Sequence, residues 1–358
     1  MLVIKIKNIE VNNRNNSLNL LRLIFAIMVL VGHSYFIPKF EYNIPQPAIY
    51  FITLAVPLFF VVSGYLITGS AIKNSFKTFI IKRFARIYPG YFVSIVMVFV
   101  LFAPITYALM YNGFDINSYL SLNPSPINYL INGIFYNIFT PIGDILTKLQ
   151  INGWNTSTWT LFYEFLCYIL IGSVVYLLKK LKIKNFTKII VILYLFMIIC
   201  SVFYPRPENP PETLLEEIEY FFNFSSIFLG GSIVYLIRDK LVFNKKYLLL
   251  NLIFCIIIMK ILNYGFATEI CAIPMTYIIL YLAINLKSPK FIQKNDISYG
   301  IYIYSWPIQT MLTCYYKFYN PHMNVLEFTI ISLIISIVMG LISWYLVEKP
   351  ILNKVRSI

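Results

Sequence analysis

Arg22 and His33 stand eleven positions apart in LRLIFAIMVLVGHSYF, an otherwise apolar stretch at residues 21–36. One carboxylate, Glu164, stands in another apolar stretch, WTLFYEFLCY at 159–168. Ionisable groups are costly at membrane depth and tend to mark function there. A histidine paired with a carboxylate is the usual general base, because the carboxylate fixes the tautomer and stabilises the imidazolium. Each residue also has a plainer reading: His33 as a satisfied structural histidine, Glu164 as a hydrogen-bond node.

A second group is basic. KRFARIYPGYF holds Lys82, Arg83 and Arg86. The two arginines are three apart, so on a helix they share a face, and paired guanidiniums suit a phosphate-rich ligand. Snorkelling cations that set membrane orientation are the alternative. In FFVVSGYLITGS, Ser63 and Gly64 allow close helix approach or a hydrogen bond to a helix backbone. In DISYGIYIYSWP, Asp296 is placed to cap a helix, and Tyr299, Tyr302, Tyr304 and Ser305 could line a polar path or simply pack.

The elements that must carry these groups follow from composition. The chain has 358 residues, 59% hydrophobic and only 12% charged, with mean hydropathy +0.73. That leaves too few charges for the polar shell of a soluble domain. Apolar runs of about 18 to 24 residues match helices crossing about 30 Å of hydrocarbon. The alternation of a β-barrel is absent. The expected fold is all-α and polytopic, one transmembrane domain over 1–358 with about ten helices. The spans run near 18–38, 47–70, 90–111, 156–178, 187–205, 218–238, 246–264, 267–286, 296–316 and 326–348.

Twenty-three lysines and arginines fall in the two tails and alternate connections, against five in the others. This bias puts both termini in the cytoplasm, with 1–17 a polar cytoplasmic tail and 112–155 a long outer loop. NPSPINYLINGIFYNIF, within that loop, reads as an interfacial or re-entrant element. YPRPENPPETLLE, at 204–216, reads as a stiff outer loop. The net charge of +14 is therefore topological and lipid-directed, with no nucleic-acid partner implied. The first span serves as its own insertion signal, and no internal repeat is visible. The five cysteines lie in apolar spans without a CxxC pair, so no metal site or disulfide is expected.

Taken in order, these segments resemble the membrane-bound acyltransferase-3 family, whose members O-acylate surface glycans and related acceptors. Arg22 to His33 matches its Arg–ten residues–His signature, and FFVVSGYLI its second-span motif. KRFARIYP matches its Arg-x-x-Arg-[ILV]-x-P element, and WTLFYEFLCY its Trp-[Ser/Thr]-Leu-x-x-Glu motif. DISYGIYIYSWP and the closing VEKP also look like family segments. Many relatives carry a second histidine where this chain has Ser305, so any role of that histidine is lost here. The chain looks like a stand-alone member without the hydrolase-like domain of some relatives. A separate outer-side protein would have to supply that partner activity.

The resemblance implies acyl-CoA as co-substrate, no bound cofactor, and a bacterial inner-membrane location. Arg22, Lys82, Arg83 and Arg86 would hold the donor phosphates at the cytoplasmic side. His33, about 16 Å further along the helix than Arg22, would take the proton of an acceptor hydroxyl, and Glu164 would orient and charge-balance it. Ser63, Trp159, Tyr163, Tyr299, Tyr302 and Ser305 would line the channel or acceptor site. The expected function is O-acylation, with acetyl the group moved, of a surface polysaccharide or lipid-linked saccharide. A transporter or flippase using His33 and Glu164 as a proton relay is the alternative. A polysaccharide polymerase is a third reading, weakened because Lys148 is the one basic residue of the long outer loop. Sidedness is directly testable. Ser121→Cys should react with a membrane-impermeant thiol reagent added outside the cell and Ser75→Cys should not; the reverse pattern inverts the topology.

Overall fold

Runs of about twenty apolar residues satisfy their backbone groups in lipid only as helices, and helices are what form. The computed structural model describes residues 4–5, 17–39, 46–204, 211, 213–262 and 268–356. In chain order the helices are α1 Leu18–Phe36, α2 Gln46–Thr53, α3 Ala55–Lys73, α4 Phe76–Met97, α5 Ala103–Tyr111, α6 Ile116–Leu120, α7 Pro126–Ile134 and α8 Ile145–Leu149. There follow α9 Trp159–Lys180, α10 Phe186–Phe203, α11 Leu214–Ile237, α12 Lys245–Ile261, α13 Ala272–Asn285, α14 Lys290–Lys294, α15 Ser298–Tyr319, α16 Val325–Ser343 and α17 Lys349–Arg356. The described strand structure is a two-residue antiparallel pair, β1 Ile4–Lys5 with β2 Val242–Phe243. The fold is all-α and polytopic.

Helices stand at all ten expected places, and seven among the described residues are long and apolar enough to cross a membrane. The other three differ for readable reasons. α12 has 17 residues and opens on two lysines. α13 has 14 residues. α15 is long enough at 22 residues but carries tyrosines, serines, threonines and Gln309, nearly all buried. Its polar atoms meet protein rather than lipid, so it need not be apolar all round. Two boundaries also move. The expected second span breaks at Leu54, where Pro57 has no N–H to offer the Thr53 carbonyl. The third span starts at Phe76 and runs unbroken to Tyr111, through a π-helical turn at Val98–Phe102. Lys82, Arg83 and Arg86 therefore lie inside a 36-residue helical run rather than at its mouth. Most of the Pro-rich stretch at 205–212, expected as a stiff loop, lies outside the described residues.

The chain packs as two units, one of 1–25, 54–83 and 161–295, the other of 26–53, 84–160 and 296–358. In the first unit α11 is central, packed by α3, α10 and α13. Small residues permit this. A Cβ on Gly64 would sit 1.9 Å from the Phe228 carbonyl oxygen, and one on Gly231 would sit 2.1 Å from that of Val61. The α3 and α11 backbones thus touch, as small-residue interfaces in membranes allow.

In the second unit α15 packs on α16 and α5. The expected interfacial stretch forms α7, which starts on a Ser125 cap to the Asn128 N–H. It buries Tyr129 and Gly133 and exposes Ile127 and Ile131, with Phe135 just beyond. Such a face suits the membrane interface. Nearby, Lys148 Nζ lies 2.8 Å from Asp144. That bond, with one from Tyr111, holds the Asp144 carboxyl below the usual carboxylate range.

One ion cluster joins distant parts of this unit. Arg86 donates to Asp296 at 2.6 Å and to Glu348 at 3.1 Å. Ser298 and Ser343 hydroxyls bind the carboxylates' other oxygens, at 2.5 and 3.1 Å. Tyr299 lies under the guanidinium at 5.6 Å and donates its hydroxyl proton to the Ile87 carbonyl at 2.6 Å. Asp296 therefore does not cap α15 as expected: it is drawn to Arg86, and Ile297 stands at the cap position without a side-chain bond.

Two stability outcomes follow. Gly64→Ala should lower the thermal midpoint strongly, because the α3–α11 backbones must separate, whereas Gly113→Ala, with open space around its Cβ, should not. Arg86→Ala leaves two largely buried carboxylates unpaired, which costs about 3–5 kcal/mol. Thermal unfolding in detergent checks both; a wild-type midpoint in either variant contradicts the packing described.

Candidate active site

Within the second unit, His33 sits on the third turn of α1 after Phe25, in a helix that is apolar because it must be. Its ring meets Trp306 of α15 edge-on, with centroids 4.7 Å apart. The Trp306 indole N–H in turn donates to the Gly153 carbonyl at 2.7 Å. His33 Nδ1 is buried and has no hydrogen-bond partner among the described residues. Gln309, one turn beyond Trp306, is fully buried and fastens α1 from the side. Its amide donates to the Leu30 carbonyl at 3.0 Å, to Ser34 Oγ at 2.8 Å and to Ser332 Oγ at 3.3 Å. Two of these bonds, to Leu30 and Ser34, fix the axial position and rotation of the turn that bears His33, and the third ties the same side chain to α16. The imidazole is thus held by packing and by its helix, and a ring nitrogen stays available for a proton.

Within the first unit, Glu164 lies in the second turn of α9. Ser63 Oγ of α3 and Tyr168 OH, one turn along α9, both donate to Glu164 Oε1 at 2.5 Å. These two bonds tie the Glu164 carboxylate to α3 and fix its orientation on α9. Arg83 is near enough for its charge to act on the Tyr168 phenol. Lys82 Nζ donates to Asn74 Oδ1 at 3.0 Å, across the α3–α4 corner. Arg22, Lys82 and Arg83 are all half-buried in this unit.

The expected residues therefore sort unevenly. Ser63 and Glu164 are brought together, and His33 lies in the other unit. Arg86, expected beside Arg83 on a phosphate, is instead committed to Asp296 and Glu348. A guanidinium facing two carboxylates has little attraction left for an anion. Of the expected channel residues, Tyr163 gives its proton to Glu217 at 2.6 Å and packs on Tyr220 and Phe224. Tyr302 donates to the Ser157 carbonyl and so receives a bond from Thr160 at 2.6 Å. Ser305 is fully buried and bonds back to the Tyr302 carbonyl at 3.1 Å. With Tyr299 on Ile87, the tyrosine hydroxyls act as struts between segments, while Ser305 bonds within its own helix. Trp159, half-buried, opens α9. Tyr168, Trp306, Gln309 and Glu348 were not singled out in the sequence. Tyr168 one turn from Glu164 and Gln309 in an apolar run were the available signals.

Comparison with known proteins bears on this arrangement. Residues 15–347 match the family described as an acyltransferase domain, nearly the whole chain. The chain is also 28% identical, over 352 residues, to an O-acetyl transferase of Shigella phage Sf6, covering 96% of this chain and 97% of that protein. No solved structure matches it. An apolar, helical chain that matches one family from its first helix to its last described span belongs to it: this protein is a multi-pass membrane member of the acyltransferase-3 family.

Proposed function

We propose that the protein is an O-acetyltransferase of the bacterial inner membrane, moving an acetyl group from acetyl-CoA to a hydroxyl of a surface polysaccharide or lipid-linked saccharide. The observation that carries this reading is His33: a half-buried imidazole, fixed by Trp306 and by its helix, with its buried Nδ1 left without a partner among the described residues. That is what a general base needs. Similarity to the O-acetyl transferase of Shigella phage Sf6 supports acetyl as the group moved.

In the proposed reaction His33 takes the proton of the acceptor hydroxyl as its oxygen attacks the thioester carbonyl. The carbon–oxygen bond forms, the carbon–sulfur bond breaks, and the leaving thiolate takes the proton back from the imidazolium. Glu164, which accepts hydrogen bonds from Ser63 and Tyr168, is the carboxylate this reading assigns to charge balance of the imidazolium. The donor phosphates fall to Arg22, Lys82 and Arg83, on the cytoplasmic side by the charge bias of the connections. Arg86 supports the fold instead.

His33→Ala should lower kcat by about 10²- to 10⁴-fold while the purified protein stays monodisperse with a normal thermal midpoint. Wild-type kcat in that sample would sink the assignment. Glu164→Gln should lower kcat less, and the double variant should fall short of the product of the two effects if both act on one proton transfer. For the donor, Arg83→Ala should raise the KM for acetyl-CoA more than that for the acceptor, with only partial rescue by Arg83→Lys, which lacks the planar fork. An unchanged donor KM would return Arg83 to a purely topological role.

A further inference from the structure

The segment Gly153–Thr158, joining the outer-loop helices to α9, is held from every side in the second unit. Its Gly153 carbonyl accepts from Trp306. The Asn155 amide accepts from Tyr129 OH at 2.9 Å and donates to Ser94 Oγ at 3.2 Å. The Ser157 carbonyl accepts from Tyr302, and that of Thr158 from Tyr136 OH at 2.8 Å. The Thr156 hydroxyl donates to the Asn152 carbonyl just before the segment at 3.2 Å, and that of Thr158 to the Asn155 carbonyl at 2.7 Å.

Two donors break the pattern. Trp154, fully buried, has no partner for its indole N–H among the described residues, and Ser157, 4% exposed, has none there for its hydroxyl. Leaving a buried donor unmade is destabilising, and replacing it by an apolar group of the same shape is neutral or better. A Phe at 154 and an Ala at 157 would therefore fit a purely structural segment at least as well. Trp306 adds the connection to the chemistry: one face of the indole meets His33 while its N–H holds Gly153, the residue before Trp154.

We propose that Trp154 Nε1 and Ser157 Oγ are the hydrogen-bond donors of a saccharide-acceptor subsite beside His33. The segment NGWNTST at 152–158 carries no charge, so it is unsuited to the polyanionic donor. Neutral N–H and O–H donors flanked by aromatic rings are the groups that recognise sugar oxygens. Rigidity serves the same end, because donors fixed before binding lose little entropy when the sugar arrives. This subsite deepens, and rests on, the O-acetyltransferase reading above.

The test uses the full-length protein in proteoliposomes, with acetyl-CoA and the lipid-linked saccharide extracted from cells lacking the gene. Trp154→Phe removes the N–H and keeps most of the ring; Ser157→Ala removes one oxygen. Each should raise the acceptor KM about three- to tenfold, the worth of one neutral hydrogen bond. The KM for acetyl-CoA should stay within twofold. Centrifugation binding of the tritium-labelled saccharide should show the same weakening in Kd, without any turnover. An unchanged acceptor KM and Kd in both variants overturns the subsite. So does a fall in kcat at unchanged acceptor KM, which would assign the donors to the developing oxyanion. If Trp154→Phe fails to fold, Ser157→Ala carries the test alone. Wild-type protein that binds the saccharide but transfers no acetyl group would sink the O-acetyltransferase reading and leave the subsite standing. Saccharide binding that is absent from the wild type sinks the subsite.

Discussion

The contact on which the second unit depends is the guanidinium of Arg86 between the carboxylates of Asp296 and Glu348. Its partners lie 210 and 262 residues away along the chain, so three remote segments must converge before any of the three charges is compensated. In a fold this apolar, an unpaired charge there would be far more costly than at a soluble surface. The cluster therefore selects one arrangement of α4, α15 and the end of α16. Ser298 and Ser343 complete the carboxylates and extend the constraint to the first turn of α15 and the last of α16. Small residues let the helices obey it: a Cβ on Gly300 would sit 2.7 Å from the Gly340 Cα.

With α15 set by that cluster, the position of His33 follows. Trp306 and Gln309 stand on the same helix, two and three turns beyond the ion cluster, one against the imidazole and the other on the carbonyl one turn before it. The histidine is placed by a helix whose own register is decided by charge pairing at its opposite end. That explains why α15 can be the least lipid-like of the long helices. Tyr299, Tyr302, Tyr319 and Gln309 each reach a neighbouring segment, and apolar replacements would keep the span but lose the register.

The helices were legible because the physics of the apolar run allows little else, and Arg22 and His33 do share one unbroken helix. The two arginines of KRFARIYP show where legibility ends. Three residues apart, on one helix and with the same chemistry, they are indistinguishable in sequence, yet Arg86 is saturated by carboxylates and Arg83 lies near Tyr168. The difference resides in partners more than two hundred positions distant, which local spacing cannot report. Asp296 misled for the same reason: as a helix-start aspartate it has a local role to play, and a long-range guanidinium outcompetes it. The tyrosines of α15 were readable as polar but not as struts, because only the fold shows which carbonyl each reaches.

Polar atoms in this protein are scarce, so a buried donor left unpaired inside an otherwise bonded segment carries information that it would not carry in a soluble enzyme. Water can satisfy a stray donor in a wet interior; a chain that is 59% hydrophobic has little such latitude. Among the described residues of the second unit, His33 Nδ1, Trp154 Nε1 and Ser157 Oγ are left without a partner, as are Gln309 Oε1, Thr310 Oγ1 and Ser336 Oγ; Trp154 and Ser157 are set apart by lying in a segment whose other side chains are bonded. The surrounding bonds show that the fold can satisfy this segment. Loose packing therefore does not account for the exceptions. In the subsite proposed above, the partners missing from Trp154 and Ser157 are oxygen atoms of the saccharide.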